Sequence, residues 1–290
     1  MSNKLVSFLF QTNAFKVCPA NQPFWLTSGL ISPYFVNTHF LYGNESDAVG
    51  LLNFITNCLE TENKTDLPGM VFEKVLKQYE SNEVFKTTID SLKEMIEQNI
   101  DIKVIDYVSG GERRDWYFSM MISYLFGLPH ITLFKDQSAV VSTCDFEECT
   151  EVEKLEGKKV LHIADLLTKA SSYVNYWAPA IKKLGSDIYW SAVVVDRLEG
   201  GEETLKDLKI ESLSLVKLDN SLFQNALELN IINQAQMDML TEFKADPYTY
   251  MRNFLIAHPE FLENALKADP KTVKRAQNCI DNDLYNLKND

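Results

Sequence analysis

The sequence predicts an α/β fold: a mostly parallel sheet flanked by helices, with a helical N-terminal insertion and a C-terminal helical extension. Three observations predict it. After about residue 102, short apolar runs rich in β-branched residues alternate with stretches of helical period, the pattern of βαβ units. Residues 45–99 carry apolar side chains at helical spacing: Val49, Leu52, Ile55 and Leu59, then Val71, Val75 and Tyr79, then Ile89, Leu92 and Ile96. From about Leu227 to Asp290 the period is helical again. It is punctuated by Asp246-Pro247, His258-Pro259 and Asp269-Pro270, where proline suits a first turn and aspartate a cap. The chain therefore reads as three segments, 1–100, 101–228 and 229–290.

Each element has its own reason. Residues 1–42 are aromatic-rich and contain Pro19, Pro23 and Pro33, which predicts a short helix followed by extended segments. Ile102 to Val108 is a strand-like run, followed by Gly110-Gly111 and a helical pattern to Leu125. Ile131 to Phe134 predicts a second strand, Lys159 to Ile163 a third, Ile188 to Val195 a fourth and Leu213 to Val216 a fifth. A helix is expected from about Ser171 to Leu184. Between Lys135 and Gly157 lies an acidic stretch with Asp136, Asp145, Glu147, Glu148, Glu151, Glu153 and Glu156. It is expected as a hairpin or mobile loop, and reads equally as a solvated connection. In sheets of this kind, ligands bind at the carboxyl ends of the strands.

Composition narrows the function. The 290 residues include 28 Lys+Arg against 41 Asp+Glu, a net charge of −13, which argues against a general nucleic-acid or anionic-membrane binder. A local basic site for a small phosphate ligand is compatible with it. Cys18, Cys58, Cys144, Cys149 and Cys279 form no CxxC pair, so neither a disulfide framework nor a thiolate zinc site is expected. His39, His130, His162 and His258 are scattered and read as structural or surface groups rather than a metal cluster. The apolar run Leu5–Phe10 is too short for a signal-peptide core, and Met120–Phe134 is interrupted and below spanning length. A soluble cytoplasmic protein is the expectation.

The most informative run is Val160-Leu161-His162-Ile163-Ala164-Asp165-Leu166-Leu167-Thr168-Lys169-Ala170-Ser171-Ser172: an apolar strand, an acid, a short polar loop and a helix start. Amides at a helix N-terminus attract phosphate, Thr168, Ser171 and Ser172 add hydroxyl donors, and Lys169 adds charge. The same residues also describe an ordinary β-to-α turn with serine caps.

This run resembles the phosphoribosyl-diphosphate (PRPP) signature of type I phosphoribosyltransferases. Three further stretches resemble orotate phosphoribosyltransferases in the same order. They are Leu26–Asn37, like that family's N-terminal substrate segment; Ser109-Gly110-Gly111-Glu112-Arg113-Arg114, in the place of its pyrophosphate loop; and Val193–Gly201, like its late strand and turn. The resemblance covers about residues 20 to 225, leaving helices 45–99 longer than the family needs and the tail outside it. It implies a pentosyltransferase of pyrimidine biosynthesis that moves 5-phosphoribose from PRPP to orotate or a related acidic base. It also implies Mg²⁺ as cofactor and a homodimer. The implied partners are a phosphorylated sugar and a heterocyclic acid, with no nucleic acid or membrane.

By residue, Thr168, Lys169, Ala170, Ser171 and Ser172 would hold the 5-phosphate, and Arg113 and Arg114 the pyrophosphate. Asp165 would contact the ribose or organise Mg²⁺, and Lys135 would act with it in catalysis. Arg197, emerging after a buried strand, would clamp the carboxylate of orotate bidentately, a reading preferred here to its alternative, half of an Asp–Arg surface pair. Thr27, Tyr34 and Phe35 would belong to the base site, with Tyr34 and Phe35 reading as well as plain core aromatics. The chain departs from the pattern at Ala164, where the family has an acid, and at Thr27, where it has lysine. Lys169-Ala170-Ser171 replaces the usual threonine and glycines, and Phe134–Ala139 holds one lysine and no histidine. Each missing cation near a developing pyrophosphate is worth a few kcal/mol. The alternative is a non-catalytic PRPP- or nucleotide-binding relative acting as a sensor or partner protein, and behind it an interaction protein with a vestigial pocket.

Overall fold

The structure, a computed structural model, describes residues 3–19, 22–152 and 154–289; Glu153 of the acidic stretch lies outside them. The chain begins with α1 (Asn3–Gln11), β1 (Phe15–Val17), β2 (Phe24–Trp25), β3 (Ile31–Ser32) and β4 (Tyr34–Val36), then α2 (Glu45–Thr61), α3 (Leu67–Ser81) and α4 (Glu83–Asn99). Next come β5 (Tyr107–Gly111), α5 (Trp116–Phe126), β6 (His130–Leu133), β7 (Ala139–Ser142), β8 (Cys149–Glu151) and β9 (Lys159–Leu167). α6 (Ala178–Lys183), β10 (Asp187–Asp196), α7 (Gly201–Asp207) and β11 (Glu211–Lys217) follow. The tail is α8 (Asn220–Glu228), α9 (Gln234–Ala245), α10 (Pro247–Ala257), α11 (Pro259–Ala265) and α12 (Pro270–Asp281). Two compact units result: Met1–Ala14 with Thr38–Leu222, and Phe15–Asn37 with Phe223–Asp290. Helices α2–α4 share the first unit with the sheet, and the aromatic segment 15–37 shares the second with the C-terminal helices.

The first unit is built on a seven-stranded sheet in the order β11-β10-β9-β5-β6-β7-β8. The pairs β10–β11, β9–β10, β5–β9 and β5–β6 are parallel, and β6–β7 and β7–β8 are antiparallel. The acidic stretch after Lys135 is thus the β7–β8 edge hairpin. The turn that opens the stretch, between β6 and β7, is closed by hydrogen bonds: Phe134 N donates to Ser138 O at 3.0 Å, and Gln137 N donates to Phe134 O at 2.9 Å. Lys64 pins it further, pairing with Asp136 and lying 5.0 Å above the Phe134 ring.

Two expectations shift in register. Ile102–Val104 is a 3-10 turn, capped where Asp101 Oδ1 accepts from Lys103 N at 3.1 Å, so the first strand of the sheet starts at Tyr107 and runs through both glycines. On α2 the buried stripe is Ala48, Leu51, Ile55 and Cys58, and Val49 is exposed. Small residues that allow close packing carry as much of that face as the large ones. Val160, Ala164, Tyr173, Trp177, Ile181, Ile188 and Val193 form the core on the α6 side of the sheet.

In the second unit β1 pairs with β4 and β2 with β3, both antiparallel. Phe15 packs on Tyr34 at 5.1 Å between ring centroids, and Tyr34 meets Phe243 edge-on at 5.7 Å. Asp246 accepts from Thr249 N, and Asp269 accepts from Lys271 N and Thr272 N, so both caps form as expected. His258 precedes α11 without capping it. All five cysteines are free thiols. No helix among the described residues is long and apolar enough to cross a membrane.

Candidate functional site

A cavity of about 290 Å³ opens at the carboxyl ends of β5, β6 and β9. The loop after β5 brings Arg113 and Arg114 to it, together with Glu112 and Asp115. The turn after β6 brings Lys135, and the end of β9 with the loop beyond it brings Asp165 and Thr168–Ser172. The phosphate-binding and catalytic positions expected from the sequence therefore share one cavity. Arg197, Thr27, Tyr34 and Phe35 are not among its lining residues.

The 168–172 loop connects β9 to the next helix. It ends at the start of a helix, whose first amides have no acceptor within the helix. Ala170 sits at φ 54°, the left-handed conformation that glycine adopts without strain and alanine does not. Its methyl is buried in the core beneath the loop, so packing holds a backbone shape that the residue type disfavours. The helix opens with a π turn, Tyr173–Trp177. It is anchored by a 2.5 Å hydrogen bond between Tyr173 Oη and Ser191 Oγ.

Asp165 has its carboxyl pushed above the ordinary range, first by burial and then by the neighbouring Asp115 carboxylate; Arg114 opposes the shift. Arg113 donates to Thr56 Oγ1 of α2. The Glu112–Arg113 peptide is cis. Lys135 is held at the rim by its backbone, whose N–H donates to Glu112 Oε2 at 3.1 Å.

The glycine pair Gly110-Gly111 makes room for the chain's own side chains. A Cβ at Gly110 would lie 2.1 Å from Ser119 Oγ, and one at Gly111 would lie 2.2 Å from the Trp177 ring. The chain's own side chains occupy the space the glycines leave, so these positions admit α5 and the indole rather than a ligand. Trp177 and Asp115, which the sequence reading passed over, both line the cavity. Asp115 stands just before a helix and carries the signature of a cap, which hides it.

Arg197 leaves the end of β10, and its backbone N–H donates to Leu167 O at 2.9 Å. Its guanidinium meets Glu199 Oε1 at 2.8 Å. The turn is set by Asp196, whose Oδ1 accepts from Leu198 N at 2.8 Å, with Leu198 at φ 57°. Burial raises the Asp196 carboxyl above its usual range. The base-site candidates lie in the second unit. Thr27 Oγ1 accepts from Arg275 Nη2 at 3.4 Å, and Phe35 packs edge-on against Phe24 at 4.6 Å. Tyr34 is 2% exposed inside the aromatic core, which is the plain-core reading.

Comparison with known proteins places this geometry. No family model matches the chain. An adenine phosphoribosyltransferase of Aeromonas salmonicida is 26% identical over 178 residues, covering 58% of this chain and 96% of that protein. One from Actinobacillus pleuropneumoniae is 28% identical over 160 residues, covering 51% and 87%. Among solved structures, Leishmania donovani UMP synthase superposes with a TM-score of 0.53 at 16% identity. That match covers 83% of this chain and 42% of that one, so the chain spans less than half of its length. The chain is thus similar in sequence to adenine phosphoribosyltransferases over about half of its length, and it shares the fold of the Leishmania enzyme.

Proposed function

We propose that this chain transfers 5-phosphoribose from PRPP to a nitrogen heterocycle, with orotate or a related acidic base as acceptor. The carrying observation is the convergence of Arg113, Arg114, Lys135, Asp165 and the 168–172 loop on one cavity at three strand ends. In this reaction the bond from ribose C1 to the diphosphate oxygen breaks and a bond from C1 to a ring nitrogen forms. Pyrophosphate leaves and the acceptor loses its proton. The amides and hydroxyls of Thr168–Ser172 bind the 5-phosphate, and Asp165 faces the ribose hydroxyls. Arg113, Arg114 and Lys135 oppose the charge that develops on pyrophosphate. Among the described residues no three His, Cys, Asp or Glu side chains gather to hold a metal. A Mg²⁺ ion would arrive with the phosphates of the ligand, Asp165 being the residue that would hold it, and would spread the leaving group's charge.

Two observations favour a second reading, a non-catalytic PRPP- or nucleotide-binding relative: Trp177 fills the space at Gly111, and Glu199 occupies Arg197. The acceptor also has a rival, since the sequence relatives are named for adenine. Calorimetric titration with PRPP and Mg²⁺, followed by pyrophosphate-release assays with orotate and with adenine, tests all three. Turnover with orotate is the expected result. Turnover with adenine alone overturns the acceptor, binding without turnover leaves the sensor, and no PRPP binding ends the phosphoribosyl reading.

A further inference from the structure

Asp115 lies between the two anion loops, and the chemistry above does not use it. Its Oδ2 accepts from Gly111 N at 3.2 Å and its Oδ1 accepts from Asp165 N at 2.9 Å. His162 Nε2 is buried with no hydrogen-bond partner and lies 3.8 Å from the same Oδ2. Ser109 Oγ holds the other ring nitrogen at 2.9 Å. The Asp115 side chain is 12% exposed. A carboxylate this enclosed is tolerated only when donors take up its oxygens.

Those donors come from two different strands. Gly111 ends β5, which leads into Arg113 and Arg114; Asp165 lies in β9, which leads into the 168–172 loop. The ladder between these strands stops at Gly110 and Ile163. Beyond that point Asp115 is what links the two backbones, one oxygen to each.

We propose that Asp115 is a positioning residue that fixes the spacing of the two loops, so that one ligand with a phosphate at each end is held by both. This deepens the phosphoribosyl reading and rests on it. The clasp needs both oxygens as acceptors. Asparagine has the same shape but sets an NH₂ against one of the two N–H donors.

The test compares three ligands on the full chain. Ribose 5-phosphate engages one loop, inorganic pyrophosphate the other, and PRPP with Mg²⁺ spans both. In Asp115→Asn, PRPP affinity is expected to fall by about tenfold or more, as expected when two linked contacts lose their register. Affinities for the two half-ligands should stay within about twofold, since each still meets an intact loop. Asp115→Glu keeps both acceptor oxygens and should bind PRPP more tightly than Asp115→Asn does. An equal loss for all three ligands, no loss for PRPP, or the reverse order of the two variants overturns the assignment. Amide hydrogen exchange reads the clasp without ligand. The Gly111 and Asp165 amides should exchange faster in Asp115→Asn, and unchanged rates overturn it. If the wild-type chain binds none of the three ligands, the phosphoribosyl reading falls together with the ligand half of this assignment, while the exchange rates still decide the clasp.

Discussion

Arg197 and Glu199 are two positions apart, and the left-handed Leu198 between them folds their side chains together at 2.8 Å. A carboxylate substrate would have to displace Glu199. The pair is partly solvated, and such pairs are worth about 0.2–1 kcal/mol. Glu199→Gln is therefore predicted to tighten orotate binding by about two- to fivefold in calorimetry; unchanged or weaker binding removes Arg197 from the acceptor site. Residue type alone read Arg197 well as a cation at a strand end, yet could not say which carboxylate it meets, because that depends on one turn's dihedral angles. Ala170 shows the same limit. The sequence shows a missing glycine, but the left-handed conformation is kept at φ 54° by burial of the methyl, a tertiary fact. Asp115 was passed over because a helix-leading aspartate looks like a cap until its two acceptor bonds are seen.

At the scale of elements, strand period and proline punctuation carried most of the fold: the five predicted strands correspond to β5, β6, β9, β10 and β11, and every Asp-Pro or His-Pro pair opens a helix. What failed depends on neighbours. The short edge strands β7 and β8 carry little apolar signal, and β5 continues through two glycines that local propensity reads as a loop. Those glycines are explained by packing, which gives a prediction. Gly111→Ala puts a methyl 2.2 Å from Trp177, and overpacking of this kind costs about 1–3 kcal/mol. Trp177→Leu should recover part of it. In urea denaturation the double variant is expected to be less destabilised than the sum of the singles. Strict additivity would mean that the indole does not restrict this position.

For the molecule as a whole, the charge of −13 leaves room for a cavity at three strand ends in which Arg113, Arg114, Lys135 and Lys169 stand beside Glu112, Asp115 and Asp165. The first unit also has a built-in response to acid. Burial holds His39 and His130 neutral, each lowered from 6.5 to about 3; the nearby Arg114 charge adds to this at His39, and His162 adds to it at His130. The unfolded chain takes up these protons first. Stability from this source is complete above 6.5 and is lost as pH falls from 6.5 toward 3, at up to about 1.4 kcal/mol per pH unit for each histidine. Asp165 and Asp196, raised by burial, act in the opposite sense because the folded chain holds their protons longer. The total slope is thus mixed, and a difference isolates the histidine. Between pH 6.5 and 4, the denaturation free energy of His130→Asn is predicted to fall less steeply with acid than that of the wild type, by up to about 1.4 kcal/mol per unit. Whatever the substitution costs at neutral pH, parallel slopes would show that His130 is not held neutral by the fold.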